Sequence, residues 1–488
     1  MYNVSEAVIE AWKTDGIHKE FRVVLNNVSY GNDRIVDATF NLRQAILDSE
    51  DFQAIGCIAS SLSIELRAQF ATKIRDQRIK VFLRAGNTPE IQVFDGYVNK
   101  CTKTANGWRR QIEAYDYFYT MSGQSGNGND GDKKRFDITD WYNEHGSTSV
   151  GTLLNEVCGK FGLSVRSGNK PLVNGSLTTK CGSETKATNV SALDLIKAIM
   201  ELNGCFGYIT GDGYFSWKYL VMPTYDELGW LYPSAYLYPS TNLYPGRDPD
   251  HADGDLDRPN IIGEYENLEY QDFKMLPINK VVVRDHEKDE NSGSCSGNIV
   301  TSDDNIYIIQ GNMLILKAEK SVKEQAAKNV FDVLNSTWYV PFAAELGYGL
   351  PYIECGDQVN LFDFVGDYGS ASLQRFYIMS RTLSGGQHLK DEWSANGNEY
   401  KREFVTGGGN ESDPGIKDEL EDIMDEKIAE AAGLYNIISV PSYVDIPDPP
   451  SNTTLYCVQG EIEIVDSISP EDPEPDEYPD SEPDNEGE

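Results

Sequence analysis

Apolar and polar residues along this chain change place with two different periods. Between Phe21 and Asp116 they alternate every second position. Phe21-Arg22-Val23-Val24-Leu25 reads as a strand, Leu62, Ile64 and Leu66 alternate with Ser63 and Glu65, and further strands are read at 79–84, 91–99 and 109–117. A period of two sends successive side chains to opposite faces of a sheet, so these strands are half buried. Their shortness and spacing predict a small β-barrel. Asp95-Gly96, inside one of them, predicts a bulge. A short helix over 5–13, with Val8, Ile9 and Trp12 on one face, precedes the strands.

The stretch from Ser122 to Asp132 is Gly, Asn, Ser and Asp with almost no apolar residue, and reads as a linker. Beyond it the period becomes helical. Val150, Leu153, Leu154, Val157, Cys158 and Phe161 share one face of a helix that Gly162 stops. A second helix has Ser191 as N-cap with Asp194 three residues on, buries Ala192, Leu195, Ile196 and Ile199, and ends at Gly204. A hairpin from Phe206 to Trp217 turns at Gly211-Asp212-Gly213. Together these predict a compact α+β insert.

Strands return at 279–284 and 305–309. Between them and the stretch described next lies a helix, with Ser321 and Glu324 as a capping box and Val322, Ala326, Val330 and Val333 on one face. From Pro351 to Gly397 the pattern is again β. The Gly356-Asp357 turn is followed by Val359, Leu361 and, less regularly, Phe362. Phe376, Ile378 and Ser380 then alternate with Tyr377, Met379 and Arg381 as a second strand, which Gly385-Gly386 breaks.

This stretch resembles the last β-domain of phage tail hub (baseplate hub) proteins, the trimeric ring at the distal end of tailed-phage tails, in the form found in phages and prophages of Gram-positive bacteria. The resemblance rests on Gly356, Asp357 and Val359, and on a closing line of Arg381, Leu383, Ser384, Gly385, Gln387, Leu389, Asp391, Trp393, Ala395 and Gly397. Gly386 departs from it, since the family more often has a β-branched residue there. The line from Asp51 to Leu66, and the pairing of Phe94–Val98 with Ala114–Asp116, resemble the first hub domain, so the resemblance covers both ends of residues 20–400.

The expected fold is therefore mainly β with an α+β insertion. A first barrel-like hub domain (1–122), a linker (123–134) and the insert (135–225) lead to an arm (226–258) and a second barrel-like hub domain (259–405). A linker and helix (406–436), a small β adaptor (437–465) and an acidic disordered tail (466–488) follow.

In the arm, Leu-Tyr-Pro recurs every six residues, at Tyr232, Tyr238 and Tyr244. Proline biases each tyrosine to extended geometry, and a turn of about three residues would align all three. The row either lies on a neighbouring protein or folds back on its own domain. Asp248 to Asp257 is acidic, but with Gly254 at the turn, Pro249 and His251 stand where a calcium loop needs carboxylates. After Asp413-Pro414, the residues Ile416, Leu420, Ile423, Met424, Ile428 and Ala431 form one helical stripe. A lone helix of this length is marginal in water, so the stripe needs a partner, either in a three-stranded coil or on its own barrel. Residues 454–458 and 461–465 read as a strand pair. The 23 residues from Asp466 hold 11 Asp or Glu, five Pro and no Lys or Arg, which leaves nothing to build a core: a disordered tail or a docking strip for a basic surface.

The formal net charge of −36 argues against nucleic acid or anionic membrane as a target. The eight cysteines form no CxxC pair and read as small buried apolar groups. No signal peptide and no run long enough to span a membrane are seen. The five histidines form no motif, and His286-Glu287 lacks the second histidine of a zincin. No enzyme activity, cofactor or metal is expected.

The resemblance implies a homotrimer in the virion, assembled from chains made in the host cytoplasm. Its partners would be the distal tail or tube protein, the tape measure protein, and a receptor-binding protein or tail fibre. It implies a wall around the DNA exit channel, without specific nucleic-acid binding. Partner contacts are expected at the three tyrosines and at Ile416, Leu420 and Ile423. Two other classes stay open: a cell-wall or capsule polysaccharide hydrolase, since carboxylate pairs abound, and a carbohydrate-binding adhesin.

Overall fold

The structure is a computed structural model that describes residues 4–14, 16–46, 52, 55–70, 73–104, 108–122, 138–179, 190–220, 261–262, 264–297, 305–363, 372–406, 436–440, 454–458 and 461–462. The chain forms two compact units, Met1–Lys417 and Asp418–Glu488.

In the first unit, helix α1 (Glu6–Lys13) buries Val8, Ile9 and Trp12 as its periodicity requires. Seven strands follow: β1 (Lys19–Leu25), β2 (Val28–Tyr30), β3 (Phe40–Ile46), β4 (Gly56–Leu66), β5 (Arg78–Ala85), β6 (Ile91–Thr104) and β7 (Arg109–Tyr115). The last strand stops two residues earlier than the alternation suggests. Asp116 caps α2 (Tyr117–Met121) by accepting the Phe118 N–H at 2.9 Å, and its other oxygen takes the Ser60 N–H at 2.6 Å. The expected bulge at Asp95-Gly96 lies elsewhere. The register of β6 slips at Val93 and again at Asn99. Gly96 sits in the regular ladder opposite Ile79, where a Cβ would meet the Tyr115 carbonyl.

The insert carries α3 (Thr139–Glu144), α4 (Val150–Lys160), β8 (Ser164–Val165), α5 (Ala192–Asn203), β9 (Phe206–Ile209) and β10 (Tyr214–Lys218). The helix at Val150 begins at the Ser149 cap, and the Ser191–Asp194 capping box forms in both directions. The insert does not stand apart from the strands. β9 joins β4 in parallel, Gly56 to Phe206 through Ile58 to Tyr208, on the same edge of β4 whose later half pairs with β7.

The second β region comprises β11 (Ile261–Ile262), β12 (Asn267–Tyr270), β13 (Ile278–Arg284), β14 (Gly293–Ser296), β15 (Asn305–Gln310), α6 (Lys320–Leu334), β16 (Phe342–Leu346), β17 (Gln358–Asp363), β18 (Ser372–Tyr377), β19 (Ser380–Gly385), β20 (Lys390–Ala395) and β21 (Glu403–Thr406). The expected capping box at Ser321 and Glu324 is absent. The helix starts two residues earlier, with Glu319 as N-cap and no side-chain cap. Its buried face is Lys323, Ala326, Ala327, Val330 and Leu334, because the Lys323 ammonium sits between Asp285 and Asp289, at 2.7 Å from each.

The strand read through Phe376–Arg381 is two strands in different sheets. Between β18 and β19 the chain is pinned on both sides: the Ile378 N–H donates to the Asp357 carbonyl at 3.1 Å, and the Met379 N–H to Ser394 at 2.9 Å. β18 continues a three-stranded sheet β11-β17-β18. β19 enters the large sheet, where Phe40–Ala45 of β3 pairs antiparallel with Ser380–Gly385. The two β regions therefore share one 14-stranded sheet, ordered β12-β16-β20-β19-β3-β4-β7-β6-β5-β1-β2, with β8, β9 and β10 branching from β4. The fold is mainly β with an α+β insertion, and no closed barrel forms among the described residues. A four-stranded sheet β14-β13-β15-β21 lies under α6.

The second unit holds a three-stranded sheet. β22 (Asn436–Val440) pairs in parallel with β23 (Thr454–Val458), and β24 (Glu461–Ile462) pairs antiparallel with β23.

Candidate functional site

The residues of the closing line meet where the two β regions join. Arg381 is 3% exposed and crosses to Asp391 on the neighbouring strand. Its Nε donates to Oδ1 at 2.8 Å and its Nη2 to Oδ2 at 2.7 Å, a bidentate pair. The remaining donors hold the loop before the Gly356-Asp357 turn: Nη2 reaches the Leu350 carbonyl at 2.8 Å, and Nη1 the carbonyl of Ile353. The Leu350 N–H returns to Asp391 Oδ2 at 3.1 Å. Burial opposes both charges, and Asp391 across the bidentate contact holds the guanidinium above its ordinary range.

The line then turns towards β1. The Gln387 side chain bridges the backbone of Lys19, donating to its carbonyl at 2.6 Å and accepting its N–H at 3.1 Å. Leu389, Trp393 and Ala395 are buried. Phe52, from the line that resembles the first hub domain, bridges to Gly397 and lies 4.8 Å from the Phe404 ring. At Gly386, a Cβ would run into the Asp37 carboxylate and stand 2.8 Å from the Ala38 nitrogen. A β-branched residue has no room there.

The Gly356-Asp357 turn is a second node. Gly356 has φ +77°, and its missing Cβ makes space for the ring of Phe206 in β9. Asp357 Oδ2 accepts the Glu354 N–H at 2.8 Å. Its Oδ1 takes the ammonium of Lys218, from the end of β10, at 2.8 Å, and Glu354 Oε2 lies 3.4 Å from the same nitrogen. Lys218 Nζ also reaches the Cys355 carbonyl at 3.1 Å and stands 4.6 Å from the Tyr208 ring centre. Burial, the largest influence on both groups, favours their neutral forms. The Lys218–Asp357 attraction outweighs it, so the amine is held high and the carboxyl low. At its other end the hairpin presses Gly213 onto Asp95, whose carboxylate takes Arg78 at 2.7 Å and 2.8 Å, while Gln92 donates to the Gly211 carbonyl at 2.8 Å. The inserted hairpin thus spans from the first β region to the turn of the second.

We expect Gly356→Ala to lower stability by about 2 kcal/mol, from the left-handed backbone and an overpacked Phe206. The midpoint of denaturant unfolding measures it.

The expected contact residues Tyr232, Tyr238, Tyr244, Ile416, Leu420 and Ile423 lie outside the described residues, as do the acidic stretch 248–257 and the tail. Sequence reasoning found Asp357, Arg381 and Asp391 as motif positions. It missed Lys218 and Lys323, which lie on a strand end and a helix face that carry no motif. Among the described residues no group of three or more His, Cys, Asp or Glu is placed to hold a metal ion, and no helix is long and apolar enough to cross a membrane. Cys57, Cys101, Cys158, Cys205, Cys295 and Cys355 are free thiols.

No protein-family model and no curated protein sequence matches the chain. Among solved structures it is similar to the 43 kDa tail protein of prophage MuSo2 from Shewanella oneidensis, with 9% identity and a TM-score of 0.44 over 78% of this chain and 99% of that one. A tail protein from Neisseria meningitidis MC58 is similar at 9% identity and a TM-score of 0.42, over 79% and 100%. The E. coli c3393 protein is similar at 6% identity and a TM-score of 0.34, over 77% and 76%. That protein is described as a component of the type VI secretion system with structural similarity to the T4 bacteriophage tail proteins gp27 and gp5.

Proposed function

We propose that this chain is a structural protein of a phage tail. Three copies form the hub at the distal tip or baseplate, join the tail tube to receptor-binding parts, and surround the path by which DNA leaves. The observation that carries the reading is the closing line. Its residues in this chain are the ones that weld β19 and β20 to β3 and β1, so the line marks a junction between two β regions and not a catalytic centre. Two β regions per chain and three chains give six comparable units, the symmetry needed to match a threefold tip to a sixfold tube.

In this reading the chain meets the distal tail or tube protein on one side, and tape measure and receptor-binding components on the other. The acidic balance keeps passing DNA from adhering. The chain acts as a scaffold, without hydrolysis.

Light scattering tests the reading, on the full chain and on a chain ending at Gly407. Trimers in both place trimerisation in the β regions. A trimer in the full chain alone assigns it to the stripe of Ile416, Leu420 and Ile423. A strict monomer in both favours an adhesin, although a ring that closes only on its partner would also be monomeric alone.

A further inference from the structure

The Lys218, Glu354 and Asp357 cluster holds more chemistry than a scaffold requires. We propose that the Lys218 amine and the Asp357 carboxyl condense into an isopeptide bond, with Glu354 as the proton acceptor. The inference stands on the geometry of this cluster and does not depend on the tail reading.

Three observations carry it. The reacting groups are already in contact, with Lys218 Nζ at 2.8 Å from Asp357 Oδ1. Both are held still. Asp357 lies in a turn in which its N–H donates to the Glu354 carbonyl at 3.1 Å and the Gly356 N–H to Ile378 at 2.6 Å, while Lys218 closes the paired strand β10. Groups fixed in contact react as one unit, with the entropy of encounter already lost. The Glu354 N–H, on Asp357 Oδ2 at 2.8 Å, is placed to stabilise negative charge growing on that oxygen during attack. Finally, water has little access: the side chains of Lys218, Glu354 and Asp357 are 18%, 9% and 8% exposed. Burial taken alone favours the neutral amine and carboxyl, but the Lys218–Asp357 attraction outweighs it and holds both groups charged at rest, so the reacting neutral pair is reached by proton transfer across the 2.8 Å contact.

The step balances without a further reagent. A proton passes from the Lys218 ammonium to the Asp357 carboxylate, giving a neutral amine and a carboxylic acid. The amine attacks the carboxyl carbon and a C–N bond forms. Glu354 Oε2, 3.4 Å from the nitrogen, takes the proton the nitrogen sheds and returns it to the departing hydroxyl. The C–OH bond breaks and one water leaves. Nothing is oxidised or reduced. The product removes two charges from a shielded site and closes a loop across 139 residues, from the inserted hairpin to the second β region.

The other buried lysine is the comparison pair. Lys323 also touches two carboxylates, and Asp289 accepts the N–H groups of Asp285 at 2.9 Å and Asn291 at 2.8 Å in addition to the ammonium at 2.7 Å. Burial works against the Asp289 charge, yet these donors hold its carboxyl down to about 2.

Intact mass spectrometry of the purified, denatured full chain tests the proposal. The expected mass is one water below that of the sequence. A tryptic digest should then join the segment carrying Lys218 to the segment carrying Asp357. Lys218→Arg keeps a cation opposite Asp357 but has no primary amine, and should show the full sequence mass. Glu354→Gln should fold and link more slowly than the parent. The parent chain at its full sequence mass overturns the proposal. So does a water loss that persists in Lys218→Arg, or a cross-link that maps to Lys323.

Discussion

Arg381→Met is expected to destabilise the first unit by about 3–5 kcal/mol, because it leaves Asp391 as a buried charge without its cation. Asp391 is 0% exposed, and the Leu350 N–H alone does not replace a bidentate guanidinium. The carbonyls of Leu350 and Ile353 lose their Arg381 donors as well. An unmet buried acceptor costs roughly 1–3 kcal/mol. The double variant Arg381→Met/Asp391→Leu should recover part of the loss, since an apolar pair of similar volume often matches a buried ion pair. Guanidinium unfolding of the parent, the single and the double variant reads both effects. Equal loss in single and double variants would mean that the packing of the guanidinium, not the stranded carboxylate, sets the cost.

Asp116 is expected to make stability fall as pH rises from about 4 to about 7. Burial pushes its carboxyl up to about 7, against the opposing pull of the Ser60 and Phe118 N–H groups. In the unfolded chain an aspartate titrates near 4. Between these values the folded protein keeps a proton that the unfolded chain has released, so folding is favoured below the window and loses that advantage through it. Above about 7 the penalty is complete and constant. A shift of this size corresponds to a few kcal/mol, on the order of 1.4 kcal/mol per pH unit. Asp116→Asn carries no titrating proton and should flatten the curve across this window, at some loss of the cap to α2. Urea unfolding at a series of pH values from 4 to 8 checks it. A parent curve already flat in that range would show that the two backbone donors outweigh burial.

Much of the architecture was legible because it rests on local chemistry. The alternation of Leu62, Ile64 and Leu66 gave β4, since a strand with one buried face must alternate. Ser191 and Asp194 gave the start of α5, because a capping box satisfies its donors within four residues. Where local rules misled, a distant contact had won. Lys323 took a core position in α6, where a lysine is rarely buried, because Asp285 and Asp289 arrive from another strand end to pair with it. The alternation through Phe376–Arg381 continued smoothly, yet the chain breaks at Ile378, whose N–H is claimed by the Asp357 turn.

The sequence by itself determined the mainly-β class, the α+β insertion, and the importance of Gly356, Asp357, Arg381 and Asp391. The class, the insertion and the Gly356-Asp357 turn follow from side-chain period, capping and turn chemistry, which act over a few residues; Arg381 and Asp391 stood out only through the resemblance of the closing line. Tertiary structure alone decided that both β regions share one sheet through β3 and β19, and that Gly386 cannot carry a Cβ. It alone decided that Lys218 meets Asp357. Such pairings join residues more than 100 positions apart in the chain. No local pattern encodes them, because strand partners and buried charge partners are chosen by the packing of the whole unit and not by the segments that contribute them.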